Sequence, residues 1–386
     1  MKITGYMRSD GSVGVRNYIA ILPSVGCAND FVLKLGNIYP NVKLLTHRQG
    51  CSQVGLDNDQ TVRTLIGLGK NPNIAGVLVV GLGCETIKAE YIAKEISKTK
   101  KMVECLVLNN ENGVASALSK GARLLNPMLQ DASKMKRTTC DMEQLIIGVK
   151  CGLSDSTSGI TSNPATGIVS DMVIESGGTV IFGETPEIIG VDHILAKRSA
   201  NQDVVNKLHR LINDCKERVK ASGGNIQEAN VAPGNIAGGI TTIEEKSIGA
   251  ITKGGRKTLQ DVLKYGEKPK GKGLFFMDSP GRTPEALTGL IAAGAQIIIF
   301  STGGGSPGGS PISPVIKVTG NRNTAQRLKD IIDVDVSSII MGKETLKEAG
   351  IKIFKKLCNV ASGEVTKAEI LGYGLISIWN ISPLSG

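Results

Sequence analysis

The chain has 386 residues, 41% of them hydrophobic, and carries a formal charge of +10 from 45 basic and 35 acidic side chains. That length suits two or three domains with full cores and excludes a disordered chain. Aromatic residues make up only 3% and do not interleave with the basic ones; nucleic acid is therefore not an expected partner, and the charge suits a small anion or an acidic partner instead.

No run approaches the ~20 apolar residues of a membrane helix. Met1-Lys2-Ile3 leads straight into structured-looking sequence rather than a signal peptide. No membrane association is expected, and the cytoplasm is the expected compartment. Eight cysteines are too sparse for a disulfide scaffold, and none forms a close CxxC pair.

In chain order, residues 14–22 read as a strand, followed by a Gly26-Cys27 turn and a helix over 29–35. Residues 42–46 form the next strand, ending at His47-Arg48-Gln49-Gly50-Cys51, and 57–68 have helical spacing. The apolar run 74–80 ends at Gly81-Leu82-Gly83-Cys84-Glu85, with a helix over 85–97; 102–108 and 112–125 add one more strand and helix. The polar stretch 131–143 is the expected linker.

A second unit opens with a buried strand at 145–149. The polar loop that follows holds Lys150, Cys151, Ser154, Asp155, Ser158 and Thr161, and a helix is capped by Asn163 with Pro164 at its first position. Strand 180–182, a long helix near 202–221, a helix capped by Thr242 with Glu245 three residues on, and strands 274–277 and 296–300 follow, before a helical tail. Alternating strands and helices predict an α/β fold: a parallel-sheet, Rossmann-like N-terminal domain (1–135) followed by a second, larger α/β domain (144–386).

Cys27, Cys51, Cys84 and Cys151 each lie just past a predicted strand, at the edge where open α/β sheets bind ligands. If these edges converge, His47, Cys51, Cys84 and Cys151 form a pool of soft ligands suited to iron or zinc, or to an iron-sulfur cluster; the spacing does not separate these. Taken singly, each cysteine reads as a small buried hydrophobe. Glycine-rich loops at 11–17 (with Arg16), 233–242 (with Lys246 and Lys253 nearby) and 301–310 (with Lys317 beyond) can aim backbone N–H groups at an anion. Gly303, Gly305 and Gly308 satisfy GxGxxG, but Pro307, Pro311 and Pro314 block the helix a dinucleotide would need, and Gly255 stands where a P-loop requires lysine.

GVRNY at 14–18, THRQGC at 46–51, GLGCE at 81–85, KCGLSDSTSGITSNPATG at 150–167, PGNIAGGITTIEEKS at 233–247, MDSPG at 277–281 and STGGGSPGGSPISPVIKVTGN at 301–321 span nearly the whole chain. Together they resemble the altronate and galactarate dehydratase family, which also includes the large subunit of sulfolactate sulfo-lyase. The resemblance implies iron-dependent elimination of water from an altronate- or galactarate-type sugar acid, giving a 2-keto-3-deoxy acid. Its alternatives are release of sulfite from a sulfolactate-like acid and a non-catalytic anion-binding or assembly subunit. It implies ferrous iron, an iron-sulfur cluster or another divalent metal, drawn from His47, Cys51, Cys84 and Cys151.

Glu85, Lys150 and Lys246 are the catalytic candidates, the lysines serving as base only if their pKa falls. Arg16, Asn17, Ser154, Asp155, Asn163, Thr241, Thr242, Thr302 and Lys317 are the expected substrate contacts. Family members made as one chain carry a small SAF-type domain ahead of the GVRN segment, so a separate small SAF-type subunit and a homo-oligomer are expected. Leu153 departs from the family pattern, which has a second glycine or another small residue there.

Overall fold

Buried runs of β-branched and aliphatic residues become strands throughout the computed structural model, which describes residues 1–382. In chain order these are β1 (Lys2–Met7), β2 (Val13–Gly14), β3 (Tyr18–Pro23), β4 (Lys43–Leu44), β5 (Ile74–Gly81), β6 (Met102–Val107), β7 (Thr138–Asp141), β8 (Ile146–Gly152), β9 (Thr179–Phe182), β10 (Leu259–Leu263), β11 (Gly273–Met277), β12 (Ile297–Thr302), β13 (Val315–Thr319) and β14 (Val334–Asp335). The fold is α/β, with parallel pairing throughout its two larger sheets.

The first sheet has four strands in the order β4-β3-β5-β6, and the second seven, β10-β11-β9-β8-β12-β13-β14. In the second, the chain winds from β8 toward β9 on one side, while β12, β13 and β14 extend from β8 on the other. The reversal leaves a crevice at the carboxyl ends of β8 and β12, where open sheets take their ligands. The first sheet has the same reversal between β3 and β5.

Residues 131–143 are not a plain linker. Helix Val114–Lys134 takes the first of them, and β7 then pairs antiparallel with β1, Lys2 opposite Asp141. The tail is likewise not purely helical, since β13 and β14 extend the sheet ahead of helix Leu346–Ala361. No helix among the described residues is long and apolar enough to cross a membrane.

One core lies between the seven-stranded sheet and helices Ser162–Glu175, Gln202–Ala221 and Leu346–Ala361. A second lies between the two sheets, where helix Gly55–Lys70 on the first packs against helix Thr283–Ala292 on the second. Their carboxyl-terminal ends meet, Gly67 lying against Ala292 so closely that a Cβ would come within 2.3 Å of its carbonyl oxygen. Their amino-terminal ends, and with them the carboxyl edges of both sheets, therefore face the same side of the molecule. Residues 377–382 bridge these edges: Ser377 N–H donates to Thr288 Oγ1 (3.0 Å), Gln60 Nε2 to Trp379 O (2.5 Å) and Ile381 N–H to Asp57 Oδ1 (2.5 Å).

Candidate functional site

Strand alternation sends Ile147, Val149 and Cys151 of β8 toward helix Ser162–Glu175 and leaves Gly148 and Lys150 on the other face. Lys150 is in register with Phe300 of β12, and its Nζ sits 4.2 Å from that ring's centre. Phe300 is in turn in register with Lys317 of β13. The crevice thus receives fully buried lysines from both sides of its central strand.

Around Lys150 and Cys151 a charged nest is closed by residues far away in sequence. Lys150 Nζ lies 3.1 Å from Glu184 Oε1, and Lys253 Nζ lies 3.0 Å from Glu184 Oε2 and 3.2 Å from Glu187 Oε2. Lys246 Nζ is 3.4 Å from Glu187 Oε1. The Cys151 thiol donates to Glu187 Oε2 at 2.9 Å, and Cys151 N–H donates to Glu184 Oε2 at 3.0 Å. Glu184 reaches this position with φ at 74°, a left-handed conformation uncommon outside glycine that marks a backbone held by its surroundings.

Burial, and then the Glu187 charge, push the Cys151 thiol far up, so it stays protonated. Burial acts to raise Glu187 as well, but Lys253 and Lys246 outweigh it and hold the carboxyl down at about 2. Lys253 is also opposed by burial, yet its acidic neighbours carry it well above the ordinary lysine value.

This nest opens into a cavity of about 440 Å³ lined by Leu153, Glu187, Asn235, Lys246, Arg282 and Thr283, among others. Lys246 Nζ is fixed by Asn230 O (2.5 Å) and Asn235 Oδ1 (3.2 Å), and Lys150 Nζ by Cys151 O (2.5 Å) and Thr283 Oγ1 (3.3 Å). Leu153 has φ at 48°, so the residue that replaces the expected glycine sits where glycine is favoured; its side chain lies against Gly234 and Gly304 at the cavity wall.

Of the expected substrate contacts, Ser154 and Asn163 are buried, and Ser154 Oγ and Asn163 Oδ1 have no protein partner. Asn163 is not the cap: helix Ser162–Glu175 begins two residues earlier than expected, after Thr161. Asp155 is committed to protein partners, accepting from Thr157 and Ser158 of its own loop and from the distant Asn321. Thr302 Oγ1 accepts from Gly305 N–H (3.0 Å), and Lys317 Nζ donates to Pro307 O (3.2 Å). Burial pushes Lys317 down to about 8, with Asp333 opposing.

Thr242 caps helix Ile243–Ile251 by accepting from Glu245 N–H, as its sequence suggests, but Thr242 and Thr241 are both exposed and bound locally by Glu245. Arg16 and Asn17 stand before β3, at the amino end of the first sheet. Arg16 pairs with Glu369 through Nε (2.7 Å) and Nη2 (2.9 Å), and Asn17 bonds Arg8 and Ala132 O. These four hold structure and do not face the cavity.

The expected ligand pool does not meet. Cys151 lies at the end of β8, whereas Cys27, Cys51 and Cys84 are exposed on loops at the carboxyl edge of the four-stranded sheet. Among the described residues the group of three or more close ligand atoms is Cys151 with Glu184 and Glu187, and His47, Cys51 and Cys84 neither join it nor form another. His47 is buried with both ring nitrogens engaged, Nε2 on Pro23 O (2.8 Å) and Nδ1 accepting from Gln49 N–H (3.2 Å), so it turns no free nitrogen to the thiols. Glu85 accepts from Ser24 Oγ (3.0 Å) and Gly83 N–H (2.5 Å); burial raises its pKa, but these donors more than compensate and keep it ionised.

A group that could hold a metal ion does exist among the described residues, in an unexpected place: Cys151, Glu184 and Glu187 offer ligand atoms within 4.8 Å of one another. The position between them is filled by Lys253 Nζ, 3.2 Å from Cys151 Sγ and within 3.2 Å of both carboxylates. A metal ion and that ammonium cannot share the position, so this arrangement does not fit a bound metal.

Sequence reading missed Glu184 and Glu187, and placed Lys253 only near the glycine-rich loop 233–242, not with Cys151. Glu184 and Glu187 follow β9, the neighbour of β8, so the strand-end reasoning that found Cys151 could have found them. Lys253 is 102 residues from Cys151, and nothing local pairs the two.

The family described as D-galactarate/altronate dehydratase, C-terminal, matches residues 142–384, and D-galactarate dehydratase/altronate hydrolase, second domain, matches residues 5–133. The chain is 38% identical to the (2R)-sulfolactate sulfo-lyase subunit beta of Chromohalobacter salexigens, over 96% of this chain and 95% of that protein. It is 37% identical to the altronate dehydratase of Bacillus subtilis (95% and 75%) and 33% identical to the galactarate dehydratase (L-threo-forming) of Escherichia coli (99% and 77%).

Proposed function

The chain belongs to the D-galactarate/altronate dehydratase family, and from that premise we propose that it is a hydro-lyase removing water from a sugar acid to give a 2-keto-3-deoxy acid. The observation that carries this reading is the cavity walled by Lys246 and Glu187, with Lys150 behind them. Elimination needs a cation to hold the substrate carboxylate and stabilise charge on the α-carbon, a base for the proton there, and an acid for the departing hydroxyl.

Lys246 holds the carboxylate; Glu187 takes the α-proton and returns it to the departing β-hydroxyl, so that the C–H and C–O bonds break, water leaves and the enol formed tautomerises to the 2-keto-3-deoxy acid. An arriving anion draws Lys246 away from Glu187 and adds a negative charge beside it, which raises the proton affinity that the empty nest suppresses. Lys150 holds Glu184 in place, and the unpartnered atoms Ser154 Oγ and Asn163 Oδ1 serve sugar hydroxyls. The units 1–135 and 144–386 are the proposed domains.

Iron dependence is part of the proposal, carried by the resemblance. The accessible thiols Cys51 and Cys84, with Cys27 on the neighbouring strand end, have the donor chemistry to hold iron or a cluster; His47 does not fit, and Cys151 leaves the pool. Iron supplies a Lewis acid when bound, and no step in the cavity is routed through it. A small partner subunit, a homo-oligomer and a cytoplasmic setting complete the reading. Sulfite release from a sulfolactate-like acid is the second reading, favoured by the near full-length match to a sulfo-lyase subunit.

The test is anaerobic co-expression with a small partner subunit, with and without ferrous iron, assaying aldonates, aldarates and sulfolactate for 2-keto-3-deoxy acid and for sulfite. Keto acid product supports the first reading and sulfite the second. No turnover of any acid in either condition leaves a non-catalytic anion-binding or assembly subunit. Cys84→Ser should abolish iron stimulation, and an unchanged response removes Cys84 from the iron site.

A further inference from the structure

An ammonium group has three N–H donors, and those of Lys253 meet three acceptors: Cys151 Sγ at 3.2 Å, Glu184 Oε2 at 3.0 Å and Glu187 Oε2 at 3.2 Å. These are the residues whose ligand atoms cluster closely enough to hold a metal ion. All four side chains are buried, with Lys253 1% exposed and Cys151 fully enclosed. We infer that Lys253 is a built-in substitute for a metal ion: its ammonium closes the Cys151, Glu184 and Glu187 triad and positions Glu187 at the cavity wall.

Charge accounting supports the substitution. Two carboxylates, a neutral thiol and an ammonium sum to −1; two carboxylates, a thiolate and a divalent ion also sum to −1. The ammonium with a protonated thiol therefore leaves the triad with the same net charge that a divalent ion with a thiolate would. The Lys253 ammonium occupies the position that a divalent ion would take.

Its second consequence is positional. With Oε2 of Glu187 tied to Lys253 and the Cys151 thiol, the other oxygen is left directed at Lys246 on the cavity side. Lys253 does not line the cavity, so it acts through Glu187 and not on a bound acid.

The inference stands apart from the proposed reaction, because its test reads metal binding and not turnover. Full-length protein is titrated anaerobically with cobalt(II), following the near-ultraviolet thiolate-to-cobalt absorption. Wild type and Cys151→Ser should give the same spectrum, any shared band arising from the exposed Cys27, Cys51 and Cys84 thiols. Lys253→Met should gain one further equivalent with a thiolate band, lost again in Lys253→Met/Cys151→Ser, while Lys253→Arg keeps the triad closed. A wild-type band that disappears in Cys151→Ser overturns the inference, as does a folded Lys253→Met protein that gains no cobalt. If Lys253→Met does not fold, the comparison of wild type with Cys151→Ser decides alone.

Discussion

The carboxyl edge of the four-stranded sheet presents Cys27, Cys51 and Cys84 to solvent, whereas that of the seven-stranded sheet buries Lys150, Cys151, Glu184, Glu187 and Lys253. Both edges arise from the same topological reversal and face the same side of the molecule. They differ in what covers them. In the first sheet, β5 passes to helix Ala89–Ser97 through a short turn. In the second, residues 183–258 between β9 and β10 fold over the strand ends and deliver Glu184, Glu187, Lys246 and Lys253. Here an insertion excludes water from a strand end and makes it a charged interior, within which each ion depends on its partners.

The contrast breaks most visibly at Glu187. If the covered edge is the reactive one, Glu187→Gln lowers kcat by about 10²–10⁴-fold in a steady-state assay with the turned-over acid, while circular dichroism stays native. A loss under tenfold removes Glu187 from proton transfer. Next in size, Lys253→Met leaves two buried carboxylates short of a cation and should destabilise the fold by about 3–5 kcal/mol, read from urea midpoints. A change below ~1 kcal/mol would mean that water already reaches the nest.

The same comparison separates what sequence could disclose from what it could not. The buried runs of β5, β8 and β12 are readable because apolar, β-branched residues between glycine turns have few other uses. The placement of four cysteines at strand ends was readable for the same reason. Their separation was not, because local spacing carries no record of which sheet a strand joins. Lys317 is expected beyond the 301–310 loop and lies fully buried in β13, a strand that the nearby Pro311 and Pro314 hide from sequence. Arg16 and Asn17 sit in a glycine-rich motif that suggested an anion, yet their donors are spent on Glu369 and backbone carbonyls.

Arg16 sharpens the contrast from the structural side. Its two bonds to Glu369 are largely buried, so Arg16→Ala should cost about 1.5–3 kcal/mol in chemical denaturation while kcat per folded molecule stays within twofold. A selective loss of kcat with unchanged stability would return Arg16 to the substrate site.

Lys317 gives a pH signature. Its folded value of about 8 lies below the ordinary 10.5, so the unfolded chain binds the proton more tightly between these values, and stability rises with pH across that window. Relative to Lys317→Met, wild type should gain up to ~3 kcal/mol between pH 8 and 10.5, seen in unfolding midpoints; a flat difference would show that Lys317 keeps an ordinary pKa. The smallest effect belongs to the open edge, where Cys51→Ser should change stability by less than ~0.5 kcal/mol.

The most direct measurement is the dissociation constant of the turned-over acid, by isothermal titration calorimetry, for wild type and Lys246→Met. With the carboxylate held at Lys246 in the cavity between Leu153, Glu187 and Asn235, the variant should bind at least about tenfold more weakly, the loss of one charge-assisted hydrogen bond. Equal affinity in the two proteins would contradict the assignment of the covered edge as the site.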